Sequence, residues 1–373
     1  MQHAPLIDHH CHGVVTKELD RTGLEALMSE SYLPPPTGTH QFQKPLGLAI
    51  RRHCSALLDL EPLASADDYV ARRTALGSRE VSRRLLVAGG VATHLIDTGH
   101  RSGEISTPEE FAALSGHAVR EVVRIESVAE EVAASGVSAA EFPARFEEEL
   151  RRRSRDAVGF KSVVAYRTTF RIEQTAPARS EVIEATGRWL AASEGRRPRL
   201  ADAAIIRHGL WAAAEIARER RMPIQLHVGF GDPDVYMHAC DPTHFTDFMR
   251  FMEAWGVPIT LLHNYPFVRE AGWLAEIFQN VYYDVGAILN FTGASSTRVM
   301  RDALEMGPYS KQLFSSDAFG LPELHYLGVV LFRRALSQVL DEWLRAGDCG
   351  TRDVEEISHA IGHGNAARIY GLA

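Results

Sequence analysis

Short apolar runs recur along the chain, and most are followed by a stretch with apolar residues at helical spacing. Leu6 and Ile7 open the first run, which leads into Asp8-His9-His10-Cys11-His12-Gly13. Further runs occupy residues 92–99, 121–126, 158–161, 223–227, 258–263, 281–285 and 313–317. Helical patterns fall between them, notably at 201–220, 244–255 and 271–278, with a closing helix at 354–370. Ser106-Thr107-Pro108-Glu109-Glu110 reads as a helix start, with a cap, a proline and acids in the first turn. Eight short strands, each followed by a helical segment, predict an α/β chain folded as a parallel (β/α)8 TIM barrel. A doubly wound sheet fits less well, because no G-x-G-x-x-G follows the first strand.

One connection breaks the rhythm. Residues 14–91 are mainly helical in pattern, with a rigid break at Pro34-Pro35-Pro36 and a glycine pair at Gly89-Gly90. Ordinary connections in such folds run to about 2–6 residues, so the expectation is a helical insertion or lid after strand 1, within a single domain of residues 1–373. Tyr32, Leu33, Phe42 and Leu46, interleaved with prolines, are expected in fixed non-helical conformations over the barrel mouth, the alternative being an outer helical layer that only packs against the barrel or a second subunit.

Composition narrows the class. The 373 residues carry a net charge of -8, which argues against a nucleic-acid surface. The basic run Arg151-Arg152-Arg153 follows Glu147-Glu148-Glu149 and reads as a paired, solvated helix face. The 4 cysteines form no CxxC, so neither a disulfide framework nor a zinc knuckle is expected. No apolar run reaches the ~18 residues that span a bilayer, and polar residues by position 8 argue against a signal peptide. The expectation is a cytoplasmic enzyme acting on a small molecule, with no nucleic-acid or membrane partner and with a homo-oligomer possible.

The chemistry gathers where the strands end. In a regular strand alternate residues share a face, so Asp8, His10 and His12 should point one way, and His9 and Cys11 the other. Two imidazoles two residues apart lie roughly 7 Å apart, close enough to converge on one ion. Strand 5 ends in His227, strand 6 in His263 and strand 8 in Asp317. Carboxyl ends of barrel strands are where catalytic groups sit. Three strands ending in histidine and a fourth in aspartate are hard to reconcile with histidines that merely pack.

This set, Asp8-His9-His10-Cys11-His12, His227, His263 and Asp317 on strands 1, 5, 6 and 8, resembles the amidohydrolase superfamily. The stretches Leu226-His227-Val228-Gly229-Phe230-Gly231-Asp232-Pro233, Leu262-His263-Asn264-Tyr265-Pro266, Phe314-Ser315-Ser316-Asp317 and Asn365-Ala366-Ala367-Arg368-Ile369-Tyr370 resemble its amidohydrolase-related branch. They are similar to the domain that some organisms fuse to a glutamine-synthetase-like module. The resemblance implies that His10, His12 and His227 are metal ligands and that Asp317 is a ligand or the general base. It implies that His263 polarises substrate or shuttles a proton, or, in binuclear relatives, holds a second metal. One divalent ion, zinc or another transition metal, is expected rather than two.

Lys161 leaves two readings open. It stands level with the other strand ends, where binuclear relatives place a bridging carboxylated lysine. If residues 162–166 extend the strand, it instead lies low in the barrel, paired with an acid such as Glu126. Tyr166, Arg167, Arg124 and Glu126 are candidate substrate-binding groups, and Arg167 suits a substrate carboxylate. A rim salt bridge accounts for that arginine equally well. Asp232 and Glu323 sit in loops after strands 5 and 8 and read as structural. His9 and Cys11 read as core or supporting residues. The expected reaction is hydrolysis of a C–N bond in a small amide by metal-activated water, with Asp317 and His263 handling protons. A metal-dependent decarboxylase of an aromatic carboxylate would use a similar set. A non-catalytic regulatory barrel is disfavoured, because every strand-end residue is present.

Overall fold

The structure is a computed structural model and describes residues 5–372. Seven parallel strands form one sheet in chain order: β1 (Leu6–Cys11), β2 (Val91–Asp97), β3 (Ala118–Arg124), β4 (Gly159–Ser162), β5 (Ile224–Val228), β6 (Ile259–His263) and β7 (Val281–Tyr283). β1, β4, β5 and β6 are buried along their whole length, so they show no alternation of buried and exposed positions, and the polar residues they carry, such as His10, Lys161, Gln225 and His227, are buried with them. Helices cover the sheet. Ala203–Arg220 starts on the Asp202 cap and stops at Arg221 in the left-handed region. Pro108–Ser115 is fixed by a reciprocal Thr107–Glu110 capping box.

The eighth expected strand is not a continuous strand. Residues 312–317 do occupy its place, because Leu313 N donates to Tyr283 O at 2.9 Å on one side. On the other side His9 N donates to Phe314 O at 3.1 Å, and Asp317 N to His10 O at 3.0 Å. The ladder breaks because a distant side chain takes one of its amides. Ser316 N is taken by the Asp8 carboxylate at 2.9 Å, and Asp317 has φ +46°. These bonds join the two edges of the curled sheet.

Three further elements differ from expectation. β4 stops at Ser162 and a short helix, Val164–Arg167, follows, so Arg167 does not share a strand face with Lys161. β3 ends at Arg124, and Glu126 lies in the first turn of the helix Ile125–Ala134. The closing segment is two helices, Thr351–His359 and Asn365–Tyr370, joined by a wider π-helical turn.

Between β1 and β2 the chain runs through four α-helices, Arg21–Ala26, Pro45–His53, Ala66–Leu76 and Ser78–Gly89. The last ends on Gly90 in the left-handed region, immediately before β2. Phe42 and Leu46 are buried in the main core, and Leu46 is helical, so neither forms a fixed loop over the mouth. Tyr32 and Leu33 do remain exposed in irregular chain. Arg73 Nε donates to Glu323 Oε1 at 2.8 Å, and Tyr69 OH to the same oxygen at 3.2 Å. This buried contact pins the helical stretch to the start of the long helix Pro322–Ala346. Glu323 is therefore structural.

Candidate metal centre

A β-bulge in β1 decides which side chains meet. Asp8 pairs with His94 and Cys11 with Ile96, so three steps on β1 match two on β2. The expected alternation fails. Asp8 shares its side of the strand with Cys11, and both approach His94 on β2. His9 and His10 both face groups of the barrel interior, His9 meeting Asp284 and His10 meeting Gln225.

The pocket at the carboxyl ends of the strands has a volume of about 320 Å³. His10, His12, Lys161, His227, His263 and Asp317 all line it, as do Arg124, Tyr166, Arg167 and Asp232. Glu126 does not. It is buried, accepting from Ser162 Oγ at 2.6 Å and Val163 N at 3.0 Å, and burial raises its pKa. Lys161 is not paired with Glu126. Its Nζ lies 3.4 Å from His10 Nε2, and burial brings its pKa down to about 8.

Hydrogen bonds fix the two strand-1 imidazoles. Gln225 Nε2 donates to His9 O and Tyr370 OH, which leaves its Oε1 as the acceptor. That oxygen is 2.8 Å from His10 Nδ1, so Nδ1 carries the proton and the Nε2 lone pair faces the pocket. Asp97 O takes the Nδ1 proton of His12 at 3.0 Å, with the same result. The two Nε2 atoms lie 3.2 and 3.8 Å from Asp317 Oδ1. On its other side Asp317 Oδ2 is 3.2 Å from His263 Nδ1. Burial lowers all four histidines, His12 to about 4 and His10, His227 and His263 well below the usual value. At neutral pH they are neutral imidazoles.

The donor set fits a divalent cation. His10, His263 and Asp317 offer ligand atoms within 4.8 Å of one another, and so do His10, His12 and Asp97; His227 belongs to neither group, but its Nε2, like His263 Nδ1, is buried with no hydrogen bond. Burial pushes the Asp317 carboxyl well up, while Lys161 pulls it down. A cation between these acceptors would remove the mutual repulsion that burial otherwise imposes.

The remaining groups form walls. Arg124 donates through Nε and Nη2 to Asp97 Oδ2 at 2.9 and 2.6 Å, so this arginine is already paired. Arg167 pairs with Glu130 at 3.0 Å and donates to Leu200 O, as a rim salt bridge would. Tyr166 lays its ring 4.3 Å from that of His227. Its hydroxyl passes so close to Gly231 that a Cβ there would come within 2.0 Å of it. Glu30 and Tyr32 also line the pocket, from the segment between β1 and β2, and burial raises Glu30 to about 7.

Several supporting residues carried a readable signal. Gln225 precedes His227 by two residues on the same strand face, and Asp97 ends β2 as the other site residues end theirs. Asp284 follows β7 and accepts from His9 Nε2 and from His263 N. Glu30 and His100 gave no sequence signal, because only the folded connections bring them to the mouth.

A parallel sheet wrapped by helices, with histidines and an aspartate at its carboxyl end, defines the metal-dependent hydrolase class of barrel. The chain belongs to the amidohydrolase family, whose model matches residues 115–372. It is 26% identical to protein fluG of Emericella nidulans over its full length, and spans about half (46%) of that protein. A solved structure from Lactobacillus casei ATCC 334, provisionally named a metal-dependent hydrolase, matches with a TM-score of 0.87 at 26% identity, covering 100% of this chain and 96% of that one. An uronate isomerase from Bacillus halodurans C-125 shares the fold with a TM-score of 0.64 at 15% identity, covering 99% of this chain and 94% of that one.

Proposed function

We propose that this protein hydrolyses a C–N bond of a small amide, using one divalent ion held by His10, His12, His227 and Asp317. The observation that carries this reading is the Asp317 carboxylate, set between the lone pairs of His10 and His12 and the ring of His263. A bound zinc ion, or a similar transition metal, would supply Lewis-acid activation of water and polarisation of the substrate carbonyl. Asp317 takes the proton of the attacking water as general base. His263, neutral and 3.2 Å from Asp317, passes that proton to the departing nitrogen. Lys161, buried beside His10 with its pKa near 8, holds positive charge at the pocket floor and steadies the developing oxyanion.

Tyr166, Arg124 and Arg167 orient the substrate. The two arginines present the guanidinium faces left free by Asp97 and Glu130. Glu30 and Tyr32 close the mouth from above, so the segment 14–91 acts as a lid over a single catalytic domain. The test is a screen of amides, γ-glutamyl conjugates and aromatic carboxylates with metal-loaded protein. Release of ammonia or an amine supports hydrolysis. Carbon dioxide with no amine, or an isomerised product, overturns it.

A further inference from the structure

A second cluster of ligand-type side chains lies outside the pocket, between the sheet and the helices. Asp8 and Cys11 come from β1, His94 from β2 and His325 from the helix Pro322–Ala346. All four are at most 3% exposed. One ligand atom from each lies within 4.8 Å of all the others. His94 Nδ1 is 3.8 Å from Asp8 Oδ2 and 3.9 Å from Cys11 Sγ.

The bulge in β1 creates the cluster by turning Asp8 and Cys11 to the same side. The long helix is seated unusually close to complete it. A Cβ on Gly328, three residues after His325, would come within 2.7 Å of Ser316 Cβ. Ser316 in turn donates from N to Asp8 Oδ1 at 2.9 Å and from Oγ to Oδ2, which orients the carboxylate.

As a packed core the cluster is poorly satisfied. Neither ring nitrogen of His325 makes a hydrogen bond of full geometry, its nearest polar neighbour being the His12 backbone, and His94 Nε2 has no partner. The Phe111 ring packs against both imidazoles, with centroids 4.9 Å from His94 and 5.1 Å from His325. Two imidazoles, an oriented carboxylate and a thiol that also reaches Leu95 O at 3.7 Å therefore face one another in a buried space, and buried imidazole nitrogens rarely go unpaired without a reason.

We infer that Asp8, Cys11, His94 and His325 form a second, structural metal site, closed to substrate and selective for zinc. Four ligands of this type match a closed tetrahedral zinc site, and the thiolate favours a soft ion. Tetrahedral zinc holds its ligand atoms about 3.3–3.6 Å apart, so sub-ångström side-chain shifts from the observed spacing suffice. Charge closes as well. The Cys11 thiol gives its proton to solvent as the sulfur–metal bond forms, and thiolate plus carboxylate neutralise the dication, leaving no net buried charge. The ion would tie β1, the strand that carries His10 and His12, to β2 and the long helix.

The test uses whole protein expressed in cobalt-supplemented minimal medium, so that Co2+ is present as the chain folds. None of the pocket residues is a cysteine, so a near-ultraviolet sulfur-to-cobalt charge-transfer band that depends on Cys11, rather than on Cys54, Cys240 or Cys349, reports this cluster and not the mouth. The expected result is that band in the wild type, lost in Cys11→Ser and weakened in His325→Gln. His10→Ala should keep it while losing metal from the mouth, which separates this inference from the proposed reaction. Cobalt-loaded wild type without the band, or a band that survives Cys11→Ser, overturns the inference. Absence of the band in the wild type overturns the inference even if the variants fold poorly.

Discussion

His9 Nε2 lies 2.7 Å from Asp284 Oδ2, with both side chains wholly buried beneath the pocket. The same carboxylate accepts through Oδ1 from His263 N at 2.9 Å and from Gly286 N at 2.7 Å. One aspartate thus binds strand 1 to the turn that carries His263. That turn is strained, with φ +69° at His263 and +57° at Asn264. The Asn264 side chain steadies it by donating to Leu261 O and Asp284 O.

Replacing Asp284 by Asn keeps the shape and removes an acceptor for His9 or for the strained turn. The expected loss is about 1–3 kcal/mol, the cost of an unsatisfied buried group. The denaturant midpoint measures it. An unchanged midpoint would show that the strained turn holds without this carboxylate.

Asp317→Asn leaves the imidazole ring set intact and removes the base. The rate on the amide found by screening should fall by roughly 10²–10⁴-fold while most of the metal stays bound. Elemental analysis beside steady-state kinetics checks both halves of this expectation.

His10→Ala removes a lone pair that Gln225 holds toward the pocket. Metal at the mouth and activity should both be lost, with the circular dichroism spectrum retained. Chelation of the wild type should abolish activity, and added zinc should restore it. Activity that survives thorough chelation would contradict metal dependence.

Glu30 gives a pH signature. Burial raises its pKa from the ordinary 4.5 to about 7, so the folded chain holds this proton more tightly than the unfolded chain. Its contribution is therefore most favourable below pH 4.5, declines between pH 4.5 and about 7, and is flat above. The Tm difference between Glu30→Gln and wild type should grow in favour of the variant across that window. A difference independent of pH would place Glu30 in water.

Tyr32 is 63% exposed and lines the pocket, so Tyr32→Ala should leave stability within about 0.5 kcal/mol. If residues 14–91 form a lid, kcat/KM should fall at least about tenfold, a transition-state loss of roughly 1.4 kcal/mol. Unchanged kinetics would reduce that segment to a packing layer.

The sequence by itself determined the parallel β/α rhythm, seven of the strands, the family and the residue types at the strand ends. These are local facts. A strand buried on both faces draws most of its residues from the apolar set, and histidines or an aspartate at its carboxyl end stand out against that background. Tertiary structure decided what depends on contacts across the sheet. The bulge between Asp8 and Cys11 reverses the simple alternation and sends Asp8 to His94 instead of to the pocket. The eighth segment loses its ladder because Asp8, some three hundred residues earlier in the chain, captures the Ser316 amide. Lys161 meets His10 rather than Glu126 because β4 stops at Ser162 and the Glu126 carboxylate is taken by Ser162 Oγ and Val163 N. No local pattern encodes such choices. They are made when distant backbone donors and acceptors must all be satisfied at once in a dry interior.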